Sequence, residues 1–330
     1  MRAYRLREGL QRVEINGYPL PLGIVPRDGV IPVEGFTLDY NAGQDDDPDT
    51  YLFTVAVAHD RLPDFLERAW QFLPDRVTPL LEIGSRDAYR TVDVFIGKDS
   101  IDKDDFLSGW ASYDTFLLED GSIAAGANAE EPFVEVFVDQ FKRVLIHVPL
   151  AMRDDVEALL TSYGIEEVPL TWPDQPVMSD DESAEEPVSL RPILQIEDEF
   201  SPDIDELLLQ LRQLWPLELN IDPTANVDAE GRPLGLTLWH AVVILRGSEN
   251  EDEVGAYAAV WATAGSIVEM EGLIRQALDV FPGLEYEAIY TIDRVAYDER
   301  PDELSDLPPR PESAQIHLIS IDPWAEPTSE

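Results

Sequence analysis

Four histidines, His59, His147, His240 and His317, are the side chains of this chain best suited to acid–base or metal chemistry near neutral pH. Each falls in or at the end of a predicted strand. No two stand at the i, i+4 spacing by which a helix presents paired metal ligands. His59-Asp60 closes the first regular strand and is the most catalytic-looking pair, because a carboxylate can orient an imidazole. Neighbours in a strand point apart, however, and Asp60 also suits the cap of the helix that follows. His240 is the second histidine read as a catalytic candidate. Asp45, Asp47 and Asp49, in the run Asp45-Asp46-Asp47-Pro48-Asp49, offer oxygen ligands for calcium or magnesium, and the same run reads equally as a solvated loop.

Two further motifs have structural explanations. Asn226-Val227-Asp228-Ala229-Glu230-Gly231 begins like a calcium loop, but Thr237 stands where the bidentate acid belongs, so a hairpin loop of turn formers is expected. Ala264-Gly265-Ser266-Ile267-Val268 could place a nucleophilic serine at a strand-to-helix turn. Val268 crowds that turn, and Ser266 with Glu269 reads as a capping box. No P-loop and no G-x-G-x-x-G motif occurs, and no cofactor is expected.

The elements that must position these residues follow from periodicity. Residues 1–50 read as an irregular leader carrying an Asn16-Gly17 hairpin, with prolines that disfavour a central strand. Over 51–170 the order is strand, helix, strands, helix, strands, helix, and a last strand at Ile165 to Leu170. Leu62, Phe65, Leu66, Ala69 and Trp70 make one apolar stripe; Val156, Leu159 and Leu160 make another, ended by Gly164. The stretch 171–190 mixes Pro, Ser and acids and reads as a linker. Over 191–324 a similar order returns: a strand at 192–196, a helix opened by Ser201-Pro202 with Leu207, Leu211 and Trp215 on its stripe, then strands at 234–245, 257–263, 285–297 and 315–321 around a helix begun by Ser266. Residues 325–330 are a tail. The fold class read from this order is α+β, as two related ferredoxin-like sandwiches in tandem, with an insertion near 98–131 in the first.

Charge limits the functions. The chain carries 67 Asp and Glu against 23 Lys and Arg, a formal net charge of −44, yet 44% of its residues are hydrophobic. That hydrophobic content argues for a folded protein rather than a disordered one. The acids are heavier beyond residue 171, where 35 stand against 8 bases, compared with 32 against 15 before it. Direct binding to a nucleic-acid backbone is disfavoured, because phosphates would meet a repulsive field. Adaptation to a salty cell interior is a second explanation of the acids. Arg2, Arg5, Arg7 and Arg12 form the only basic segment, able to dock on the acidic body or on a second copy. The absence of cysteine excludes disulfides and thiolate chemistry. Without an apolar span or a secretory signal, a cytoplasmic location and no membrane contact are expected. The reading is therefore a non-catalytic scaffold or inhibitor acting through its negative surface on a protein with a basic patch. The alternative is a metal-assisted hydrolase with a pocket between the two domains.

Overall fold

The computed structural model describes residues 6, 9–43, 48–175, 188–190, 203–247, 255–278, 283–308 and 311–324. They form a mixed α+β protein with mostly antiparallel sheets and few helices. Two compact units divide the chain: Met1–Ile83 with Val94–Leu219, and Gly84–Asp93 with Asn220–Glu330.

The first unit begins with β1 (Glu14–Ile15) and β2 (Tyr18–Pro19), a small hairpin. Its turn residues Asn16 and Gly17 take φ of 53° and 83°, the left-handed pair that an Asn-Gly turn supplies at low cost. Next come β3 (Ile24–Pro26), β4 (Gly35–Asn41), β5 (Thr50–Ala56), α1 (Leu62–Ala69), β6 (Arg76–Gly84) and β7 (Val92–Gly97). Then follow β8 (Ile101–Asp102), α2 (Lys103–Glu119), β9 (Ile123–Glu130), β10 (Phe133–Val138) and β11 (Val144–Pro149). The unit ends with α3 (Arg153–Tyr163), β12 (Val188–Leu190), α4 (Ile204–Leu214) and β13 (Leu217–Leu219). The main sheet runs β13-β7-β6-β9-β10-β11-β5-β4, with β8 on β6, while β12 pairs with β3.

Helical periodicity becomes packing here. The α1 stripe buries Leu62, Phe65, Leu66 and Ala69, each large apolar side chain contributing roughly 1.5–3 kcal/mol. Trp70 meets Phe106 and Trp110 of α2 edge-on, at ring separations of 5.4 and 5.0 Å. Leu207, Leu211 and Trp215, read above with the second half, enter this same core. Helix α4 runs from Ile204, and the Asp203 side chain caps it by accepting the Glu206 N–H. The stretch 98–131, read as inserted, supplies α2 and β9, and β9 pairs with both β6 and β10. Gly35–Asn41, within the region read as an irregular leader, is a regular strand on β5. The strand expected after α3 reduces to a bridge between Phe36 and Glu167. The strand expected at 192–196, Ser201-Pro202, and most of the 171–190 linker lie outside the described residues.

Among its described residues the second unit has one four-stranded sheet and one α-helix: β14 (Thr237–Gly247), β15 (Gly255–Ala264), α5 (Ile267–Leu278), β16 (Leu284–Val295) and β17 (Gln315–Pro323), with strand order β16-β14-β15-β17 and every pairing antiparallel. Alternation along β14 and β15 sends Trp239, Ala241, Val243, Ala258 and Val260 to the face packed by Met270, Ile274 and Leu278 of α5. Ser266 Oγ accepts the Glu269 N–H at 3.1 Å, and Glu269 accepts from Gly265 N–H at 2.7 Å, so this turn is a cap. The 84–93 segment is held by Asp87, whose carboxylate takes the Arg294 guanidinium at 2.8 Å and the Arg294 N–H at 2.9 Å. Burial alone would raise Asp87, but the Arg294 bonds outweigh it and hold the carboxyl below its usual range. Among the described residues no helix is long and apolar enough to cross a membrane.

Candidate functional site

His59 and Asp60 part company. Asp60 is exposed, and α1 begins with Arg61 as its N-cap and no capping side chain. The partner of His59 is Glu119, at the end of α2, whose Oε1 accepts from Nε2 at 2.9 Å. The same carboxylate takes both Nη groups of Arg12 and the Leu22 N–H. Burial would raise Glu119, but the bonds from His59 and Arg12 overcome it and hold the carboxyl down at about 2. The remaining ring nitrogen of His59, Nδ1, is shut off from solvent and has no hydrogen-bond partner. Nearby, burial pushes Lys142 down to about 8 against the pull of Asp120, Asp139 and Glu119, and its ammonium donates to the Ile123 carbonyl. This cluster fastens the 12–22 segment to the first unit. Glu119, Arg12 and His59 Nε2 are committed to one another.

His147 and Asp49 are also occupied. His147 Nε2 lies 2.6 Å from Thr50 Oγ1, its ring sits edge-on to Phe133, and burial lowers its pKa. Asp49 accepts from the Tyr40 hydroxyl, which together with the Gly43 N–H lowers its pKa. Asp45 and Asp47 lie outside the described residues. The Asn226–Gly231 loop closes on itself: Asp228 accepts from the Glu230 and Arg232 N–H groups and pairs with the Arg232 side chain. Among the described residues no group of three or more His, Asp or Glu side chains could hold a metal ion.

His240 stands in a different setting. It alternates with Trp239 and so occupies the sheet face opposite α5. Its ring lies 4.4 Å from that of Trp261 on β15, and Asp293 on β16 is its register partner on the other side. Burial and the charge of Arg86 lower its pKa. Burial pushes Asp293 up to about 6; repulsion from Asp93 and Asp87 adds to this, while Arg86 opposes it. Further along the face Tyr257 packs against Tyr290 and Trp324, at 5.7 and 5.8 Å. Tyr257 is 39% exposed and Leu318 37%, so the aromatic row is reachable from solvent. Asp322 is the register neighbour of Tyr257, and Glu287 pairs with Arg246. Sequence reading singled out His240 but missed this company. The alternation of His240, Val242, Ile244 with Tyr257, Ala259, Trp261 was the available signal, since it places two half-apolar rows on one face.

Comparison with protein-family models, with curated proteins and with solved structures finds no match to this chain.

Proposed function

We propose that this chain is a cytoplasmic, non-catalytic binding protein that engages a protein partner bearing a basic patch. The observation that carries the reading is the sheet face of the second unit, where Trp261, Tyr257 and Tyr290 stand with Asp293 and Asp322. Aromatic faces among carboxylates suit lysine or arginine side chains, which gain cation–π contact and a countercharge together. The net charge of −44 adds long-range attraction for such a partner, strongest at low salt. Inhibition of a nucleic-acid-binding protein by acidic mimicry is one form this function could take.

An arginine- and lysine-rich 15-residue peptide tests the proposal. At 0.15 M salt its affinity should fall about ten-fold with Trp261→Ala, whereas Glu157→Gln on α3 should leave it within two-fold. Equal binding by the wild type and Trp261→Ala would reduce the interaction to general charge attraction and remove the assigned face. The metal-assisted hydrolase reading gains no support from the arrangement of the described side chains. A ferredoxin-like origin of both halves is proposed on narrower ground: β15, α5 and β16 straddle the antiparallel β14 as a split strand–helix–strand unit.

A further inference from the structure

The segment 84–93 belongs to the second unit and closes on the edge strand β16. It grips Arg294 through both backbone groups: the Asp87 carboxylate accepts the Arg294 N–H at 2.9 Å, and the Ala88 N–H donates to the Arg294 carbonyl at 2.9 Å. The Arg294 guanidinium closes on Asp87 as well. Asp293 precedes Arg294 in the strand and is in register with His240, so it stands on the His240 side of the sheet. The grip on Arg294 brings Arg86 beside that pair. Burial raises Asp293 and lowers His240, and on both the positive charge of Arg86 acts to lower the pKa. Asp93, Asp87 and Arg90 of the same segment also act on Asp293, but Arg90 is engaged with Asp93 at 2.9 Å and Asp87 at 3.4 Å. Arg86 is exposed and Asp87 buried, so the Arg86 side chain can swing aside while its neighbour stays bonded. The other end of the face shows how a guanidinium is held there: Arg246 lies 4.6 Å from the centre of the Trp324 ring, and its Nε donates to Glu287.

We infer that Arg86 is the resident cation at the His240 end of this face, an intramolecular competitor that a basic partner must displace to reach Asp293. The inference rests on the reading of this face as the docking surface. Displacement returns Arg86 to solvent, so its cost to the partner is the modest strength of an exposed ion pair. A partner with an isolated cation gains little by that exchange. One that presents several cations keeps its affinity, because the remaining charges are drawn by the net charge of −44.

Two measurements on the full chain test it. The first titrates the same arginine- and lysine-rich peptide against wild type and Arg86→Gln, which should bind it about five-fold more tightly. Arg232→Gln makes the same change of charge on the exposed Asn226–Arg232 loop and should stay within about two-fold of wild type. In an Asp293→Asn background the gain from Arg86→Gln should vanish, because the contested carboxylate is gone. The second measurement needs no partner: NMR follows the titration midpoints of Asp293 and His240. Both should move to higher pH in Arg86→Gln, since the variant lacks a cation that opposes protonation of each. Unmoved midpoints would overturn the placement of Arg86, whatever the peptide does. If binding needs Trp261 but Arg86→Gln gains no more than Arg232→Gln, the competition is overturned and the docking face stands. If the peptide binds neither wild type nor Arg86→Gln, the face and the competition fall together.

Discussion

Two histidine–carboxylate neighbourhoods in this chain have been put to opposite uses. Around His59, Glu119 collects a hydrogen bond from the imidazole, two from Arg12 and one from the Leu22 N–H. Around His240, Asp293 is a register neighbour that sits beside Arg86 and is repelled by Asp93 and Asp87, while the imidazole stacks on Trp261. The first carboxyl is held down at about 2 and the second pushed up to about 6. Both are mostly buried, so burial does not separate them. The difference is the number of donors: a carboxylate given several N–H groups stays ionised when desolvated, and one given few is driven toward its neutral form. One arrangement holds a chain segment in place, and the other leaves a polar, aromatic face able to accept something.

The largest expected effect breaks the first arrangement. Glu119→Ala removes the acceptor shared by His59, both Nη groups of Arg12 and the Leu22 N–H, and should cost about 3 kcal/mol in urea unfolding at pH 7. His240→Ala should cost less than about 1.5 kcal/mol, because its neighbours reach solvent. If Glu119→Ala costs no more than His240→Ala, the His59 cluster is not an anchor, and its ionisable groups become candidates for chemistry.

Proton linkage sharpens the same contrast, because the two carboxyls have opposite signs. Glu119 is depressed, so its stabilisation is present above the ordinary glutamate value and is lost as pH falls through that value toward about 2. Asp293 is raised, so it binds its proton more readily folded than unfolded, and stability falls as pH rises from about 4 to about 6. Asp293→Asn should therefore stabilise the protein by on the order of 1–2 kcal/mol at pH 7.5, with the gain fading by pH 4. Thermal unfolding across that range measures it. A gain that does not vary with pH would mean that the ionisation of Asp293 is not what costs stability.

Sequence pattern reached the apolar stripes and stopped at long-range partners. Helix α1 was legible because Leu62, Phe65, Leu66 and Ala69 share one face. Strand β9 was not, because half of Ile123–Glu130 is alanine, one residue is glycine, and only Ile123 is of the branched or aromatic kind that marks strands. Its composition has a packing reason: a Cβ on Gly126 would stand 2.3 Å from the Val136 carbonyl oxygen and 2.5 Å from the Phe137 Cα. Helix α4 showed its stripe but not its destination, since nothing local in Leu207, Leu211 and Trp215 says which core they enter. The Glu119 partnership spans 60 positions. Its only trace was a carboxylate ending the apolar run Phe116-Leu117-Leu118. Arg12, read as a basic residue able to dock on the acidic body, found its place there; Arg2, Arg5 and Arg7 lie outside the described residues.

The smallest expected effect tests the open face most finely. His240→Phe preserves an aromatic ring against Trp261 and removes the ionisable group, so stability at pH 8 should change by less than about 0.5 kcal/mol. Because burial and Arg86 lower the His240 pKa, the folded wild type resists charging a group that the unfolded chain charges freely as pH falls below its ordinary value. The wild type therefore loses stability there and the variant does not, so His240→Phe should be the more stable protein at pH 5. This trend opposes that of Asp293, and only the double variant separates the two contributions. If protonated His240 instead drew stabilisation from ionised Asp293, His240→Phe would be the less stable at pH 5. The pair would then be a stabilising histidine–carboxylate partnership like that of His59 with Glu119, and the contrast between the two neighbourhoods would disappear.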